Sequence, residues 1–216
     1  MTCLVVAATV MEINPFLEYF RGNNQLSANL EIDILITGIG LTASTYSLTK
    51  QLNIKRPDVV IQAGIGGCFE KSIPLGSVFA IKQDTFADMG VTESGKLKTL
   101  FDLGLASANQ SPFSKGWLIN KSGLLKKVKL KKVKAVSVNE ITTAKKKVAL
   151  YKEKFDPVVE SMEGAALHYV CLMEKIPFLQ IRSISNYIGE RNKKNWKIKD
   201  SILNLNNELI RLLKKL

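Results

Sequence analysis

The sequence predicts a single α/β domain over residues 1–216, with a mixed central sheet flanked by helices. Short apolar segments rich in β-branched residues recur along the chain, and helical patterns separate several of them. Continuous apolarity is typical of strands buried on both faces. Strands that alternate with helices favour a largely parallel sheet with helices on both sides. A length of 216 residues with 46% hydrophobic residues suits one sizeable domain.

Seven segments bounded by glycine, proline or charged residues are predicted to be strands: "CLVVAAT", "EIDILITG", "PDVVIQAG", "GSVFAIK", "VKAVSV", "DPVVE" and "PFLQIRSIS". The predicted helices are "NPFLEYFRG", "LTASTYSLTKQLN", "TAKKKVALYKEK", "EGAALHYVCLMEK" and "KDSILNLNNELIRLLKKL". The stretch from "FADMG" to "PFSKGWLIN" is the least regular. Long excursions of this kind often form lids or interface loops.

The charge of the chain indicates a solvated surface rather than a nucleic-acid site. The formal net charge is +12, but lysines supply most of it and are scattered from Lys50 to Lys215. The densest run, "KKVKLKKVK" from Lys126 to Lys134, alternates lysines with apolar residues, which predicts a half-exposed strand. No aromatic residues lie within it to stack on bases. We expect no nucleic-acid partner.

The cysteines and the N-terminal segment predict a cytoplasmic protein. Cys3, Cys68 and Cys171 are widely spaced among apolar residues, a pattern that fits buried thiols and neither a disulfide framework nor a zinc site. The N-terminal apolar run lacks basic residues and is expected to be a core strand. No apolar segment approaches the roughly 20 residues that span a bilayer, so no membrane partner is expected.

Functional residues are expected where the predicted strands end, because open α/β sheets bind ligands there. Glu12 follows the first strand and could cap a helix or act as a base; taken alone, the cap is favoured. Glycine clusters end two further strands, at "TGIG" (Thr37 to Gly40) and "AGIGG" (Ala63 to Gly67). Glycine permits close approach of a ligand to the backbone, although an ordinary strand-to-helix turn would also explain them. The second cluster, with Gly66 and Gly67, is the stronger candidate because "IGGCF" opens no convincing helix.

Two further groups carry polar side chains. In "SMEGAALHYVC", Glu163 lies in the first turn of a predicted helix, where the helix dipole alone could explain it, and Glu160 could serve as well. Met162 beside Glu163 suits a sugar, because a methionine packs against a ribose face and a carboxylate accepts from vicinal hydroxyls. In "IRSISNYIGERNKKNW", Arg182, Ser185 and Asn186 end the last strand. An amide both donates and accepts, which suits a heterocycle edge, although Asn186 could simply form a turn.

In this order, the groups resemble the nucleoside phosphorylase and nucleosidase superfamily, over nearly the whole chain. Within it, the likeness is greatest to futalosine hydrolases. The segments that carry it are "AGIGGCF", "FADMGVTE", "LFDLGLASANQSPFSKGWLIN", "SMEGAALHYVC" and "ISNYIGERNKKNW". "SMEGAA" marks the superfamily, and "ISNYIGERNKKNW" is the more specific segment.

The resemblance implies a nucleoside phosphorylase-like fold and assigns residue roles. Glu163 would hold the ribose hydroxyls with Met162 against the sugar. Glu12 would orient or deprotonate the attacking water, with Arg182 nearby. Asn186 would bind the purine at N7. The segment "SVNEIT", which contains the candidate substrate-binding residues Asn139 and Ile141, would line the base pocket.

Two departures from related sequences bear on the reaction. Adenine-specific relatives end the last strand with Ser-Asp, whereas this chain has Asn186, whose amide can donate to both N7 and a 6-oxo group. This favours hypoxanthine as the leaving base. The phosphorylases carry an arginine near the second glycine cluster, and "IQAGIGG" has none. Hydrolysis is therefore favoured over phosphorolysis.

The resemblance implies a cofactor-free hydrolase that releases hypoxanthine from futalosine in an alternative menaquinone pathway, as a homodimer or larger homo-oligomer. Two alternatives stay open: a nucleosidase that releases adenine from methylthioadenosine or adenosylhomocysteine, and a non-catalytic purine or nucleic-acid binding module. His168, the single histidine, is expected to be a packing residue. Trp196 could close the pocket or pack against the C-terminal helix.

Overall fold

A computed structural model describes residues 1–22 and 29–216. In chain order, its elements are β1 (Thr2–Ala7), α1 (Val10–Gly22), β2 (Glu31–Ile36), α2 (Leu41–Ile54), β3 (Val59–Cys68), β4 (Val78–Asp84), β5 (Gly90–Glu93), β6 (Lys96–Thr99), β7 (Leu118–Ile119), α3 (Gly123–Lys127), β8 (Lys132–Ser137), α4 (Lys145–Phe155), β9 (Val159–Ser161), α5 (Gly164–Met173), β10 (Phe178–Tyr187), a 3₁₀ helix (Lys193–Asn195) and α6 (Ile198–Leu213). Each of the seven predicted strands overlaps an observed one. The α/β class is confirmed.

The central sheet is mixed and curls back on itself. Its main path runs β10-β4-β8-β9-β3-β1-β2, and a further pairing joins β10 to β3. β3 pairs in parallel with β1, β2 extends that edge in parallel, and β10 lies parallel on the other side of β3. The β10–β3 pairing closes β3, β10, β4, β8 and β9 into a ring. The polar ends of β3, β9 and β10 are thereby brought together.

Helices cover both faces of the sheet. Residues of α1 and α6 pack with β1 and β3 in one buried cluster, which includes Phe16 and Leu209. Residues of α2 and α5 pack in a second cluster, which includes Leu48 and Leu167. The three cysteines are buried free thiols, as predicted. Within residues 1–22 and 29–216, none of the helices has the length and apolarity that a membrane crossing requires.

Two strand-end assignments need correction. The "AGIGG" cluster lies inside β3, because β3 continues to Cys68 with β9 and β10 hydrogen-bonded on its two sides. Arg182 likewise lies in the middle of β10, which continues to Tyr187. Pairing on both edges keeps the glycines extended. These residues contribute to the floor of a site rather than to a turn above it.

The lysine run from Lys126 to Lys134 is not one strand, contrary to the prediction. Its first two lysines end α3, and β8 begins only at Lys132. The Ser122 hydroxyl accepts a hydrogen bond from the Leu125 backbone N–H at 3.4 Å and so caps α3. The helix forms because Leu125 and Val128 pack into the core. The long excursion also contains regular structure, since β5 and β6 form a hairpin.

Candidate active site

A cavity of about 240 Å³ opens where β1, β3, β9 and β10 end. Seven of the predicted site residues line it: Glu12, Gly66, Gly67, Ile141, Met162, Glu163 and Asn186. Thr9, Glu160, Ser185 and Trp196 are also among its walls. The chain thus brings polar groups from distant segments to one mixed polar and apolar pocket.

Glu12 binds backbone N–H groups with both carboxylate oxygens. The sequence suggested a position ahead of the helix, but Glu12 lies in the first turn of α1. Its Oε2 accepts from the Thr9 backbone N–H at 3.1 Å, and its Oε1 accepts from the Ile65 N–H at 3.0 Å. The first bond is the acidic half of a capping box. Glu12 therefore caps its helix and also lines the cavity, so the two alternatives left open by the sequence are compatible.

Burial raises the pKa of Glu12 above the ordinary glutamate value. The charge of Arg182 and the hydrogen bond from Ile65 act in the opposite direction, and the nearby charge of Glu163 adds to the rise. A carboxylate with a raised pKa is a stronger base than one in water. The position and the environment of Glu12 suit proton abstraction from a bound water.

Arg182 lies beneath the cavity and is 1% exposed. Its Nη2 donates to the Gln62 amide oxygen at 2.9 Å, and its Nη1 lies 3.4 Å from both Glu163 Oε2 and the Ile65 carbonyl oxygen. The guanidinium thus supports the carboxylate of Glu163 from below. Gln62 is a lone polar residue within the apolar segment "VVIQAG" of β3, a signal that could have identified it from the sequence.

Gly64 makes room for this guanidinium. A Cβ at position 64 would overlap Arg182 Nη1 and lie 3.0 Å from Glu12 Oε1. We expect Gly64→Ala to displace Arg182, reduce turnover at least about tenfold and destabilise the fold by roughly 1–3 kcal/mol, the usual cost of overpacking. Thermal unfolding and steady-state kinetics would measure both effects. The matched control is Gly123→Ala, because a Cβ there meets nothing within 4 Å; equal behaviour of the two variants would contradict the expectation.

Glu163 is held by a residue far away in the sequence. Its Oε1 accepts from the Gly40 backbone N–H at 3.1 Å, and Gly40 adopts a left-handed φ of 94° at the start of α2. The first glycine cluster, which the sequence ranked below the second as a candidate, therefore contributes directly to the site; its contact with Glu163 was not indicated. Glu163 occupies the N-cap position of α5, but its side chain makes no capping hydrogen bond. The carboxylate lies at the positive end of the helix dipole, as the sequence allowed, but its hydrogen-bond partners are Gly40 and Arg182 rather than the helix backbone.

Serine hydroxyls bind the start of α5 in its place. Ser161 Oγ accepts from the Gly164 N–H at 3.3 Å, and Ser137 Oγ accepts from the Ala165 N–H at 2.8 Å. Ser137 also donates to buried Asp84 at 3.1 Å, and burial raises the pKa of Asp84 to about 7. These hydroxyls accept from the first backbone N–H groups of α5, so the carboxylate of Glu163 is not needed there and can face the cavity.

Asn186 and Ser185 form the other end of the cavity. The Ser185 hydroxyl lies 2.8 Å from Asn186 Oδ1 and 3.3 Å from the Gly66 carbonyl oxygen. Asn186 Nδ2 donates to the Tyr187 carbonyl oxygen at 3.2 Å. With Oδ1 accepting from Ser185, the amide has one further N–H for a ligand. This end of the cavity can donate a hydrogen bond to an acceptor edge of a heterocycle.

Asn139 is not part of the cavity. It is exposed on the turn after β8, where its backbone N–H donates to Asp88 Oδ2 at 2.6 Å. Ile141, two residues later, lines the cavity. Asp88 holds Asn139 against the surface, which the local sequence could not indicate. The prediction for this residue was therefore misplaced.

The structure also locates Trp196, whose role the sequence left open, and His168, which was expected to be a packing residue. Trp196 lines the cavity, with its indole N–H donating to the Glu190 carbonyl oxygen at 3.1 Å. His168 is fully buried beside Phe178, and its Nδ1 lies 2.9 Å from the Leu118 carbonyl oxygen. Burial lowers the pKa of His168 to about 4, which keeps it neutral near pH 7. No three histidine, cysteine or carboxylate residues in the described part of the chain are placed to share a metal ion.

This chain matches one protein-family model and is similar to futalosine hydrolases and to 5'-methylthioadenosine/S-adenosylhomocysteine nucleosidases. The model of the phosphorylase superfamily matches residues 13–216. A futalosine hydrolase from Streptomyces coelicolor is 25% identical over 176 residues, which cover 79% of this chain and 73% of that protein. A 5'-methylthioadenosine/S-adenosylhomocysteine nucleosidase from Haemophilus ducreyi is 27% identical over 165 residues, with coverage of 73% and 68%.

Solved structures agree on the fold. A 5'-methylthioadenosine/S-adenosylhomocysteine nucleosidase from Helicobacter pylori superposes with a TM-score of 0.82 at 21% identity, covering 100% of this chain and 99% of its own. The futalosine hydrolase of the same organism gives 0.82 at 19% identity, covering 100% and 98%. At such low identities, these likenesses establish the architecture alone.

Proposed function

Because this chain belongs to the phosphorylase superfamily, we propose that its cavity binds futalosine and hydrolyses the N-glycosidic bond, releasing hypoxanthine as a step of an alternative menaquinone pathway. The general activity follows from the family and from the two relatives named above: the chain is an N-glycosyl hydrolase that acts on nucleosides. The finer assignment rests chiefly on Asn186. Its amide N–H, presented while Ser185 holds Oδ1, matches the acceptor edge of a 6-oxopurine.

The proposed mechanism places complementary charges at the two ends of the breaking bond. Cleavage builds positive charge on the ribose and negative charge on the departing purine. The carboxylate of Glu163 stabilises the ribose cation and accepts from its hydroxyls, while Met162 packs against the sugar. Asn186 donates to N7 of the leaving base. Glu12 takes a proton from the attacking water.

Arg182 acts as a positioning residue in this scheme. Its guanidinium contacts Glu163 and Gln62 and lowers the pKa of Glu12 against the effect of burial. It is engaged by these partners beneath the cavity, and "IQAGIGG" offers no arginine of its own for a phosphate. Both features favour water as the nucleophile over inorganic phosphate.

An adenine-releasing nucleosidase is the second candidate, and the similarity of one relative favours it. The relative of that kind from Haemophilus ducreyi is as similar to this chain as the futalosine hydrolase is. A rotated Asn186 amide would present Oδ1 to the 6-amino group of adenine and could donate to Ser185. That rotation would also set Oδ1 against the Tyr187 carbonyl oxygen, which accepts from Nδ2 at 3.2 Å, so the contacts of Asn186 favour the arrangement that donates to the ligand.

Analysis of the released base distinguishes the two candidates. Purified protein would be incubated with futalosine, inosine and methylthioadenosine in phosphate-free buffer, and the products separated by chromatography. The proposal predicts hypoxanthine and free sugar from futalosine as the fastest reaction. Faster adenine release from methylthioadenosine would support the second candidate. Accumulation of a sugar 1-phosphate in phosphate buffer would overturn the hydrolytic mechanism.

Asn186→Asp is expected to change the preference for the base. An ionised aspartate accepts hydrogen bonds but does not donate them. Its oxygens would face N7 and O6 of hypoxanthine, which are also acceptors, so none of these atoms would be paired. The mismatch costs about 1–3 kcal/mol or more, which corresponds to about a tenfold loss or greater in kcat/KM for futalosine. The 6-amino counterpart should lose less, because its amine can donate to the carboxylate. An unchanged ratio of kcat/KM for the two substrates would show that Asn186 does not recognise the base.

A further inference from the structure

A buried polar cluster lies beside the start of α5, outside the lining of the cavity. Four of its atoms have no hydrogen-bond partner of ordinary geometry among the described residues: Asp84 Oδ2, His168 Nε2 and both amide atoms of Gln180. A Cβ at position 164 would overlap both Asp84 Oδ2 and Gln180 Nε2, so these two atoms are close neighbours. A side-chain hydrogen bond from Gln180 also acts on the pKa of Asp84 and on that of His168. Gln180 therefore joins the two titratable residues.

Only two arrangements of protons pair all four atoms. His168 Nδ1 lies 2.9 Å from the Leu118 carbonyl oxygen, which can only accept, so Nδ1 carries a hydrogen. The Gln180 amide donates at one end and accepts at the other. If it donates to His168 Nε2, it accepts from a protonated Asp84. If it donates to an ionised Asp84, it accepts from Nε2 of an imidazolium, so each arrangement holds one proton for the two residues.

Burial favours the arrangement without charges. Asp84 and His168 are both 0% exposed, and an ionised side chain in the core loses its hydration. Burial raises the pKa of Asp84 to about 7 and lowers that of His168 to about 4, while the charge of Arg182 on β10 lowers both. The neighbouring strands β7, β8 and β9 contribute uncharged groups to the cluster, from Leu118, Ser137 and Ser161. The proton therefore belongs to Asp84.

Asp84 also connects the cluster to the start of α5. Its Oδ1 accepts from the Ser137 hydroxyl at 3.1 Å, and the Ser137 oxygen accepts from the Ala165 backbone N–H at 2.8 Å. Ala165 follows Glu163 by two positions. Gly164, between them, packs so closely against Asp84 that a Cβ would not fit. The position of Glu163 therefore depends on the packing of this cluster.

We propose that Asp84, Gln180 and His168 share a single buried proton, which Asp84 carries as a carboxylic acid, and that this neutral triad positions Glu163. The inference rests on the role of Glu163 in the proposed function. Loss of the proton would turn the Gln180 amide to donate to Asp84. Its oxygen would then face the lone pair of His168 Nε2, and the cluster against which Gly164 packs would rearrange. Asp84 is thus a positioning residue, which acts on the reaction through the start of α5.

The state of His168 is directly measurable because it is the single histidine of the chain. The imidazole nitrogen resonances of isotopically labelled protein, prepared without a histidine tag, would be recorded at about pH 6, where an exposed histidine is mostly charged. We expect a neutral ring protonated on Nδ1 alone. An imidazolium, or a neutral ring protonated on Nε2, would overturn the inference. This measurement uses the unsubstituted protein and does not depend on which nucleoside it cleaves.

Asp84→Asn copies the protonated acid at every pH. Its oxygen can accept from Thr85 and Ser137, and its NH₂ replaces the O–H donor toward Gln180. In the unsubstituted protein, the raised pKa of Asp84 stabilises the fold at acidic pH, and this stabilisation is lost as pH rises through about 7. Between about pH 5 and about pH 8, the Tm of Asp84→Asn should therefore rise by at least about 3 °C relative to that of the unsubstituted protein.

Turnover tests the connection to Glu163. The kcat would be measured with whichever of futalosine, inosine and methylthioadenosine the unsubstituted protein cleaves fastest. From about pH 6 to about pH 9, the kcat of the unsubstituted protein should fall at least about threefold relative to that of Asp84→Asn. Equal pH profiles of the two proteins, in turnover or in unfolding, would contradict the inference. If none of the three nucleosides were cleaved, the proposed function would fail, whereas the imidazole resonances and the unfolding would still decide the inference.

The matched control is Asp156→Asn, which removes an exposed carboxylate paired with Lys134 at 2.8 Å outside the cavity lining. Lys134 lowers the pKa of Asp156, so this carboxyl stays ionised over the whole pH range of the test. Asp156→Asn should keep the pH dependence of the unsubstituted protein in both turnover and unfolding. A change equal to that of Asp84→Asn would show that the effect is not specific to the buried cluster and would overturn the inference.

Discussion

Glu163→Gln is expected to lower kcat at least about a hundredfold while the protein stays folded. The amide keeps the shape of the side chain and can still accept from Gly40, but it no longer carries the charge that opposes the ribose cation. Removing one aligned electrostatic partner of a transition state typically costs about 10²–10³ in rate. The substitution also leaves buried Arg182 without its ion-pair partner, so a lower melting temperature is expected.

Kinetics and thermal unfolding of the same sample would separate these two effects. The control is Glu174→Gln, just after α5, where the carboxylate is half exposed and lies 3.7 Å from Arg56. That substitution should leave turnover unchanged, because exposed ion pairs contribute little. Full activity of Glu163→Gln would contradict the assigned role. A protein without a cooperative unfolding transition would call for Glu163→Asp, which keeps the charge and should retain the fold with reduced kcat.

Glu12→Gln is expected to abolish most hydrolysis while nucleoside binding persists. Loss of a general base typically costs about 10²–10⁴ in rate. Glutamine is accepted in the capping box with Thr9, so α1 should remain intact, while the NH₂ group then faces the Ile65 N–H and that hydrogen bond is lost. Isothermal titration with substrate, beside turnover measurements, would check both statements. Loss of binding together with activity would indicate that Glu12 serves only as a cap.

The pH profile gives a second test of Glu12. Its pKa is raised by burial, so its basic form is lost as pH falls through a value above that of ordinary glutamate. We therefore expect the acidic limb of kcat/KM to lie above the usual range for a glutamate, and to disappear from the residual activity of Glu12→Gln. An identical acidic limb in both proteins would assign that limb to another group.

Local patterns were sufficient for much of this fold. Continuous apolar runs predicted the strands because a buried strand needs apolar residues on both faces. The motif around Met162 and Glu163 and the position of Glu12 after β1 were visible for a similar reason, since strand ends converge at one edge of a sheet. The α/β class therefore followed from short segments of sequence.

Contacts between distant segments were not accessible in the same way. The bond between Gly40 and Glu163 joins residues 123 positions apart, and the closure of the sheet depends on the pairing of β10 with β3. Asn139 was predicted to lie in the pocket because its segment lies there, but its backbone N–H donates to Asp88, 51 positions away, at the surface. The fit of Arg182 against Gly64 is likewise a matter of three-dimensional packing.

The most direct test of a hypoxanthine-releasing enzyme compares two substrates that differ only at the base. Initial rates of base release by the unsubstituted protein would be measured for futalosine and for its 6-amino counterpart under identical phosphate-free conditions. The amide of Asn186 predicts that kcat/KM favours futalosine by at least about tenfold, the equivalent of one well-placed hydrogen bond. Equal values, or a preference for the 6-amino compound, would contradict the assignment.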